Sequence, residues 1–266
     1  MVDAAGDSLV MKSIHETIRS RRPLVIIVSA IIGAAVIVAG YTLLSNRLWS
    51  DYQTSYETWS EDARIKAEEA LAPQLARADR LSQFKALTTS IENKKDSRCT
   101  VNGLIAWQQF MADNKKRQEE CRRVADEVVA FGRQLQSAVS YLEDDQEITI
   151  ILTDAIGSSD KLSQKQWVEQ VATWGSASKS IAAADVVAEF TEVKTLASKR
   201  VATVEAAWKK IVAADKAKDE SKYVDGEKDL TQAYAALKDI SEESADHFKV
   251  IASKVQTAYD KAFINQ

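Results

Sequence analysis

Glycine and proline are nearly missing, with 8 Gly and 2 Pro among 266 residues. So few turn formers exclude an all-β fold, whose strands need frequent bends. Histidine and cysteine are as scarce, two of each, too few soft ligands for an ordinary structural zinc site. No excess of positive charge exists either. With 35 Lys+Arg against 39 Asp+Glu the net charge is −4, so electrostatics gives no ground for a nucleic-acid partner. The chain contains none of the patterns G-x-x-x-x-G-K, G-x-G-x-x-G, H-E-x-x-H or G-x-S-x-G, which removes the usual phosphate-cradle, zinc-protease and serine-hydrolase signatures. What fills the chain is 45% hydrophobic and 28% charged residues, too apolar for a disordered segment. Long stretches of Ala, Glu, Lys, Gln and Leu favour helix.

Residues Leu24–Ser45 are 22 in a row without a charge. As a helix they measure about 33 Å, close to the roughly 30 Å hydrocarbon core of a bilayer. A buried core helix seldom runs this far without a polar face. A cleaved signal peptide has a shorter apolar region, about 7–15 residues, before a small-residue site. Here the run continues to Thr42, Leu43 and Leu44, which favours an uncleaved signal anchor over cleavage near Ala39-Gly40. A lipoprotein anchor would need a cysteine directly after the run, and the first is Cys99. A pilin-like segment would need a glycine before the run and an early glutamate inside it, where this chain has Arg22-Pro23 and no acid. In residues 12–23, Lys12, Arg19, Arg21 and Arg22 stand before the run against one acid, Glu16. The positive-inside bias therefore predicts a cytoplasmic tail (1–23), a transmembrane helix (24–45) and an extracytoplasmic region (46–266). Tyr41, Trp49 and Tyr52 stand where an aromatic belt would mark the outer interface.

Four of the basic and three of the acidic residues precede position 46, leaving 31 and 36 beyond it. Charges balanced in this way and spread along the chain mark solvated helix faces. Three seams alternate steps of three and four. The first runs Leu104, Trp107, Met111, Asn114, Gln118, Cys121, Ala125, Val128, Gly132, Leu135, Val139, Leu142. The second runs Phe190, Val193, Ala197, Arg200, Val204, Ala207, Ile211, Ala214. The third is Leu230, Ala233, Leu237, Ile240, Ser244, His247, Ile251. Such a 3.5-residue period packs helix on helix. Pro73 should kink or restart the first outer helix, and Asn93–Asn102 reads as a polar turn. Residues 143–162 read as a second break, with the strand-like 148–153 run as an apolar loop or short helix. Leu162, Ser163, Gln166 and Trp167 suit a stapled and boxed helix start. Tyr223-Val224-Asp225-Gly226 reads as the last turn. The fold class expected is all-α: one N-terminal transmembrane helix, then an elongated, coiled-coil-like antiparallel bundle of about four main helices.

Cys99 and Cys121 both fall in the outer region, where an oxidising compartment makes a structural disulfide the default. A single helix over 103–121 would hold its ends about 27 Å apart, whereas bonded Cα atoms lie within roughly 7 Å. Pairing within one chain therefore needs a reversal, and Asp113-Asn114 is a candidate turn between a short helix at 103–112 and a longer one from near 116. Free thiols and an intermolecular bond are the other readings. No C-x-x-C redox motif is present.

The chemistry-bearing residues lead to no catalytic residue, no cofactor and no metal. His15 lies on the tail, and His247 sits on a seam beside Phe248 as a packed or half-exposed helix histidine rather than a catalyst. Glu143, Asp144, Asp145 and Glu147 lack the alternating ligands and central glycine of a calcium loop, so they read as a solvated acidic turn. All six Trp lie beyond the apolar run and read as bundle core rather than as an aromatic pocket. Small residues at four-residue spacing inside the run (Ser29 and Gly33, Ala35 and Ala39) are a weak helix-association pattern. The leading expectation is a non-enzymatic, membrane-anchored interaction or scaffold module binding another envelope or surface protein, with self-association. The alternative is a ligand-binding or sensory outer domain that signals through a partner subunit. A cell-wall enzyme using two converging carboxylates is the third. Whether the outer face is a periplasm or the open cell surface is left open by the sequence.

Overall fold

The computed structural model describes the backbone of residues 6–72, 75–92, 112–157 and 164–264. Within these it describes side chains from residue 31 onward, apart from positions 55, 56, 77, 112–114, 164 and 165. Among the described residues there is helix and no strand. In order these are α1 (Gly6–Leu71), α2 (Arg77–Glu92), α3 (Ala112–Gly157), α4 (Gln164–Ala183), a short 3₁₀ turn (Ala188–Phe190), α5 (Thr191–Ala217), α6 (Glu220–Ala235), α7 (Lys238–Tyr259) and a closing π turn (Asp260–Ile264). The chain divides into two compact units, Met1–Trp59 with Thr100–Gln118, and Ser60–Cys99 with Glu119–Gln266.

The first unit holds the apolar run. Ile31, Ile32, Val36, Ile37, Val38, Leu43 and Leu44 are all exposed, and at 100° per residue they point in every direction around the helix. By length and composition this is the one described helix able to cross a membrane. Thr42, its polar residue near the end, donates its hydroxyl to the Val38 and Ala39 carbonyls at 2.9 Å. The helix therefore satisfies that group itself. Trp49, expected to face an interfacial belt, is instead covered by protein at 6% exposure, edge-on to Tyr52. Asn46 Oδ1 lies 3.5 Å from Arg117 Nη1 of α3.

The second unit is a helical bundle. Helix α1 ends at Leu71, two residues before Pro73, and α2 starts at Arg77. The restart expected at the proline is thus observed, although Pro73 itself lies outside the described residues. Arg80 Nη2 donates to the Ala72 carbonyl at 3.0 Å, satisfying an acceptor that the interrupted helix leaves over. Ala63, Ala67 and Ala70 are fully buried near the end of α1.

Helix α3 corrects two expectations. The supposed break at 143–162 is helical through Gly157, and Asp113-Asn114 lies in the first turn of α3 instead of at a reversal. The physical reason is continuous burial. Tyr141, Ile148 and Ala155 are buried at seven-residue spacing, so burial continues through the strand-like stretch on a stripe one residue behind the seam of Ala125, Val128, Leu135, Val139 and Leu142. An Asp at a helix start is favoured by the macrodipole. The polar turn at 93–102, the residues Leu162 and Ser163 of the expected cap, and the seam residues Leu104, Trp107 and Met111 lie outside the described residues.

Helices pair antiparallel wherever contacts show it. Between α4 and α5, Gly175 lies against Glu205, and the Lys194 ammonium donates to the Ala184 carbonyl at 2.6 Å. Along α5, Ile211 meets Gly226, Lys210 pairs with Asp229, Trp208 with Tyr234 and Arg200 with Asp239. One register covers both α6 and α7, so they form a single helical path with a hitch at Ala236–Leu237. There Leu237 N–H reaches back only to Tyr234 and Ile240 N–H to Leu237. Helix α7 also runs antiparallel to α3, with Tyr141 near Phe248 and Phe131 near Tyr259.

The expected last turn at 223–226 lies inside α6, with Gly226 buried. The observed turn is earlier. Lys218 adopts φ 54°, ψ 37° and caps α5, and Asp219 opens α6 by accepting from Lys222 N–H. Because the breaks at 218 and 236–237 carry neither glycine nor proline, the four expected long helices become a larger set of shorter ones.

Candidate functional site

The polar side chains of the bundle gather where α3, α7 and the segment leading into α5 meet. The core beneath them is aromatic: Tyr141 packs edge-on against Phe190 at 5.0 Å between centroids and lies 6.0 Å from Phe248. Burying a tyrosine requires a partner for its hydroxyl. Tyr141 donates to the Ser244 carbonyl at 2.9 Å, with Ser244 Oγ 3.4 Å away. The Ser244 hydroxyl, itself buried, donates to the Asp145 carboxylate. These bonds lock the second half of α3 to the first half of α7.

One residue earlier, Asp144 is 9% exposed and accepts the Val187 backbone N–H at 2.8 Å. This holds the non-helical stretch between α4 and α5 against α3. Burial pushes the Asp144 carboxyl above its ordinary range, with Glu147, Glu143 and Asp185 adding repulsion, and the Val187 bond opposes them. The acidic quartet is therefore no solvated turn. Asp144 faces inward as an anchor, while Glu143 reaches Lys85 of α2 at 2.6 Å.

On the outer edge of the same junction, His247 of α7 is half-buried. Its Nε2 lies 3.1 Å from Glu192 Oε2 of α5 and 3.2 Å from Glu243 Oε1 one turn back. The sequence reading of a packed helix histidine holds for its body; the convergence of Glu192 from another helix was missed. Glu243 at four residues was a visible local signal, whereas Glu192 is brought in by tertiary packing alone.

At the end of the bundle near α1, Tyr259 donates to Glu68 at 2.9 Å, and Arg64 joins Glu61 to Glu68. Burial, then the Glu68 bond, raises the Tyr259 phenol. Open grooves line helix pairs. One of about 360 Å³ runs between α3 and α7 past Glu127, Gln134, Ser253 and Lys254. Another of about 380 Å³ lies over α5 and α6, lined by Arg200, Thr203, Lys210 and Gln232. Both mix short and charged side chains.

The tryptophans behave mainly as core. Trp174 is fully buried and edge-on to Tyr234, whose hydroxyl lies 3.2 Å from the Trp208 ring nitrogen. Trp167 is half-buried against Tyr223, and Trp107 lies outside the described residues. Cys121 is half-buried on α3, and Cys99 lies outside the described residues, so their expected pairing is not placed. Since α3 is already helical from Ala112, a bond between them requires the chain to turn back before Ala112. His15 lies where side chains are not described. No protein-family model matches the chain, and neither a curated protein nor a solved structure is significantly similar to it.

Proposed function

We propose that the chain is a single-pass membrane protein, N-terminus in the cytoplasm, whose outer helical region is a non-enzymatic interaction or scaffold module for another envelope or surface protein. The observation that carries the reading is the ring of exposed isoleucine, valine and leucine around α1 between Ile31 and Leu44. Moving seven such side chains from water into hydrocarbon is worth on the order of 10 kcal/mol, and a bilayer covers a helix in every direction. The charge asymmetry at residues 12–22 supports the orientation. Support for an interaction role comes from the long helix faces with their paired charges and from the open mixed grooves along α3–α7 and α5–α6, a surface suited to a partner helix.

The test joins two measurements on intact cells. Alkaline carbonate should leave the full chain in the membrane fraction and release a variant lacking 24–45. Chemical crosslinking followed by purification in detergent should bring down one recurrent protein in comparable amount. Release of the full chain by carbonate would refute the anchor. Self-crosslinks alone, together with a thermal shift on adding small molecules, would refute the scaffold role in favour of a ligand-binding outer domain.

A further inference from the structure

The Glu192, Glu243 and His247 cluster has more negative charge and more lone pairs than its own protons satisfy. A neutral imidazole offers one donor and one acceptor nitrogen. Here a single nitrogen, Nε2, faces two carboxylate oxygens at 3.1 and 3.2 Å. If Nε2 carries its lone pair, three acceptors confront one another. If it carries a proton, that one N–H is shared between two carboxylates, and even a protonated imidazolium balances only one of their two charges. A cation seated among the three atoms resolves the conflict, and the spacing suits one. Zinc takes nitrogen at about 2.0–2.1 Å and carboxylate oxygen at about 2.0–2.2 Å in a tetrahedron, whose edges are then about 3.3–3.5 Å. The two separations lie within a few tenths of an ångström of that edge, and all three ligand atoms fall within 4.8 Å of one another.

The scaffold under the ligands is fixed. Glu243 and His247 are one helical turn apart on α7 and bracket Ser244, which is buried, and Phe248 follows directly. Glu192 stands in the first turn of α5 between Phe190 and Val193, both fully buried. Thus the Cα positions are held by the core while the carboxylates, exposed at Glu192 and half-buried at Glu243, retain the freedom to close on an ion.

We propose that Glu192, Glu243 and His247 form a binding site for a divalent transition metal of the zinc class, tying the first turn of α5 to α7. The imidazole nitrogen selects against Mg²⁺ and Ca²⁺, which prefer all-oxygen shells of six or more ligands. Three protein ligands leave one tetrahedral position to water on the solvent side. The ion reinforces the same junction that the Tyr141–Ser244–Asp145 bonds and the Asp144–Val187 bond hold from below.

The test uses the full-length chain in detergent, stripped with chelator, dialysed against Zn²⁺ alone, with bound metal counted by atomic emission. The wild type should hold one more equivalent than His247→Gln, and its melting temperature should rise with Zn²⁺. Glu192→Gln and Glu243→Gln should weaken that equivalent at least about tenfold, as loss of even an indirect ligand support does in known sites. Glu242→Gln, on the adjacent exposed position, should leave it unchanged. Glu192 is so exposed that its variant tests the site even if His247→Gln were to unfold. Equal zinc content in wild type, His247→Gln and Glu192→Gln would overturn the proposal, as would equal stabilisation by Mg²⁺.

Discussion

Helix α6 lies so close to α5 that a β-carbon at Gly226 would sit 2.8 Å from Ile211 Cγ1, 3.3 Å from its backbone nitrogen and 3.5 Å from its Cα. Carbon pairs rest at about 3.5–4.0 Å, so relief requires a shift of nearly 1 Å. A new Ile211 rotamer cannot supply it, because two of the three obstacles are backbone and the β-branched side chain is stiff and buried. The helices must move apart, loosening the neighbouring Lys210–Asp229 and Trp208–Tyr234 contacts. Gly226→Ala gains about 1 kcal/mol of helix propensity and loses about 1–3 kcal/mol to overpacking. The expected net is about 1 kcal/mol of destabilisation. Gly175 in α4 is the internal control. Its added β-carbon meets only the carboxylate end of Glu205, 3.3 Å away, which can swing aside while risking little more than its surface pair with Lys209. Gly175→Ala should therefore stabilise by about 0.5–1 kcal/mol. Thermal unfolding of the full chain in detergent should separate the two by several degrees, at about 2–4 °C per kcal/mol for chains of this size. Equal melting temperatures, or a Gly226→Ala variant more stable than the parent, would refute the claim that space at the α5–α6 contact is the reason for the glycine.

Other substitutions read the polar junction and the cysteines. Because burial raises the Asp144 carboxyl, the fold binds that proton more tightly than the unfolded chain does. Stability therefore falls as pH rises from the ordinary aspartate value through the raised one, and is flat above it. Asp144→Asn, which keeps an acceptor for Val187 N–H, should match the wild type at low pH and equal or exceed it at neutral pH. Asp144→Ala should cost about 1–3 kcal/mol by orphaning that N–H. Melting curves at several pH values check both, and an Asn advantage that grows toward low pH would contradict the sign. Tyr141→Phe removes the bond to the Ser244 carbonyl and should cost about 0.5–1.5 kcal/mol in chemical denaturation. Cys121→Ser should lower the melting temperature under oxidising conditions and leave it unchanged in reductant, with a gel-mobility change on reduction in the wild type alone. Loss of stability in both conditions would place the effect in packing rather than in a bond to Cys99.

The seams of α3, α5 and α7 were legible because one face of each helix is buried over much of its length, from Ala125 to Ala155 in α3, and a repeating three-four step survives the loss of all other information. Ala125, Val128, Leu135, Val193, Val204 and Ile251 needed no partner to be recognised as core. The misreadings share a cause. Asp144 looked solvated because its neighbours in sequence are acids; its burial depends on the Val187 N–H, 43 residues away. Gly226 looked like a turn residue because glycine more often serves conformation than clearance, and its obstacle lies on another helix. The αL residue at the actual turn is Lys218, a side chain with no such preference. His247 showed Glu243 one turn away but not Glu192 from α5. Apart from Lys218, each missing fact is a contact with a segment distant in sequence, and the α5–α6–α7 pairings follow from one register. Once Gly226 seats on Ile211, antiparallel running brings Asp229 beside Lys210 and Tyr234 beside Trp208. Carried past the hitch at 236–237, it brings Asp239 beside Arg200. The same direction of travel carries α7 on toward the first turn of α5, where His247 and Glu192 meet. The close approach at a single glycine thus sets the stage for the chemistry of the far end, a relation that no window of local sequence contains.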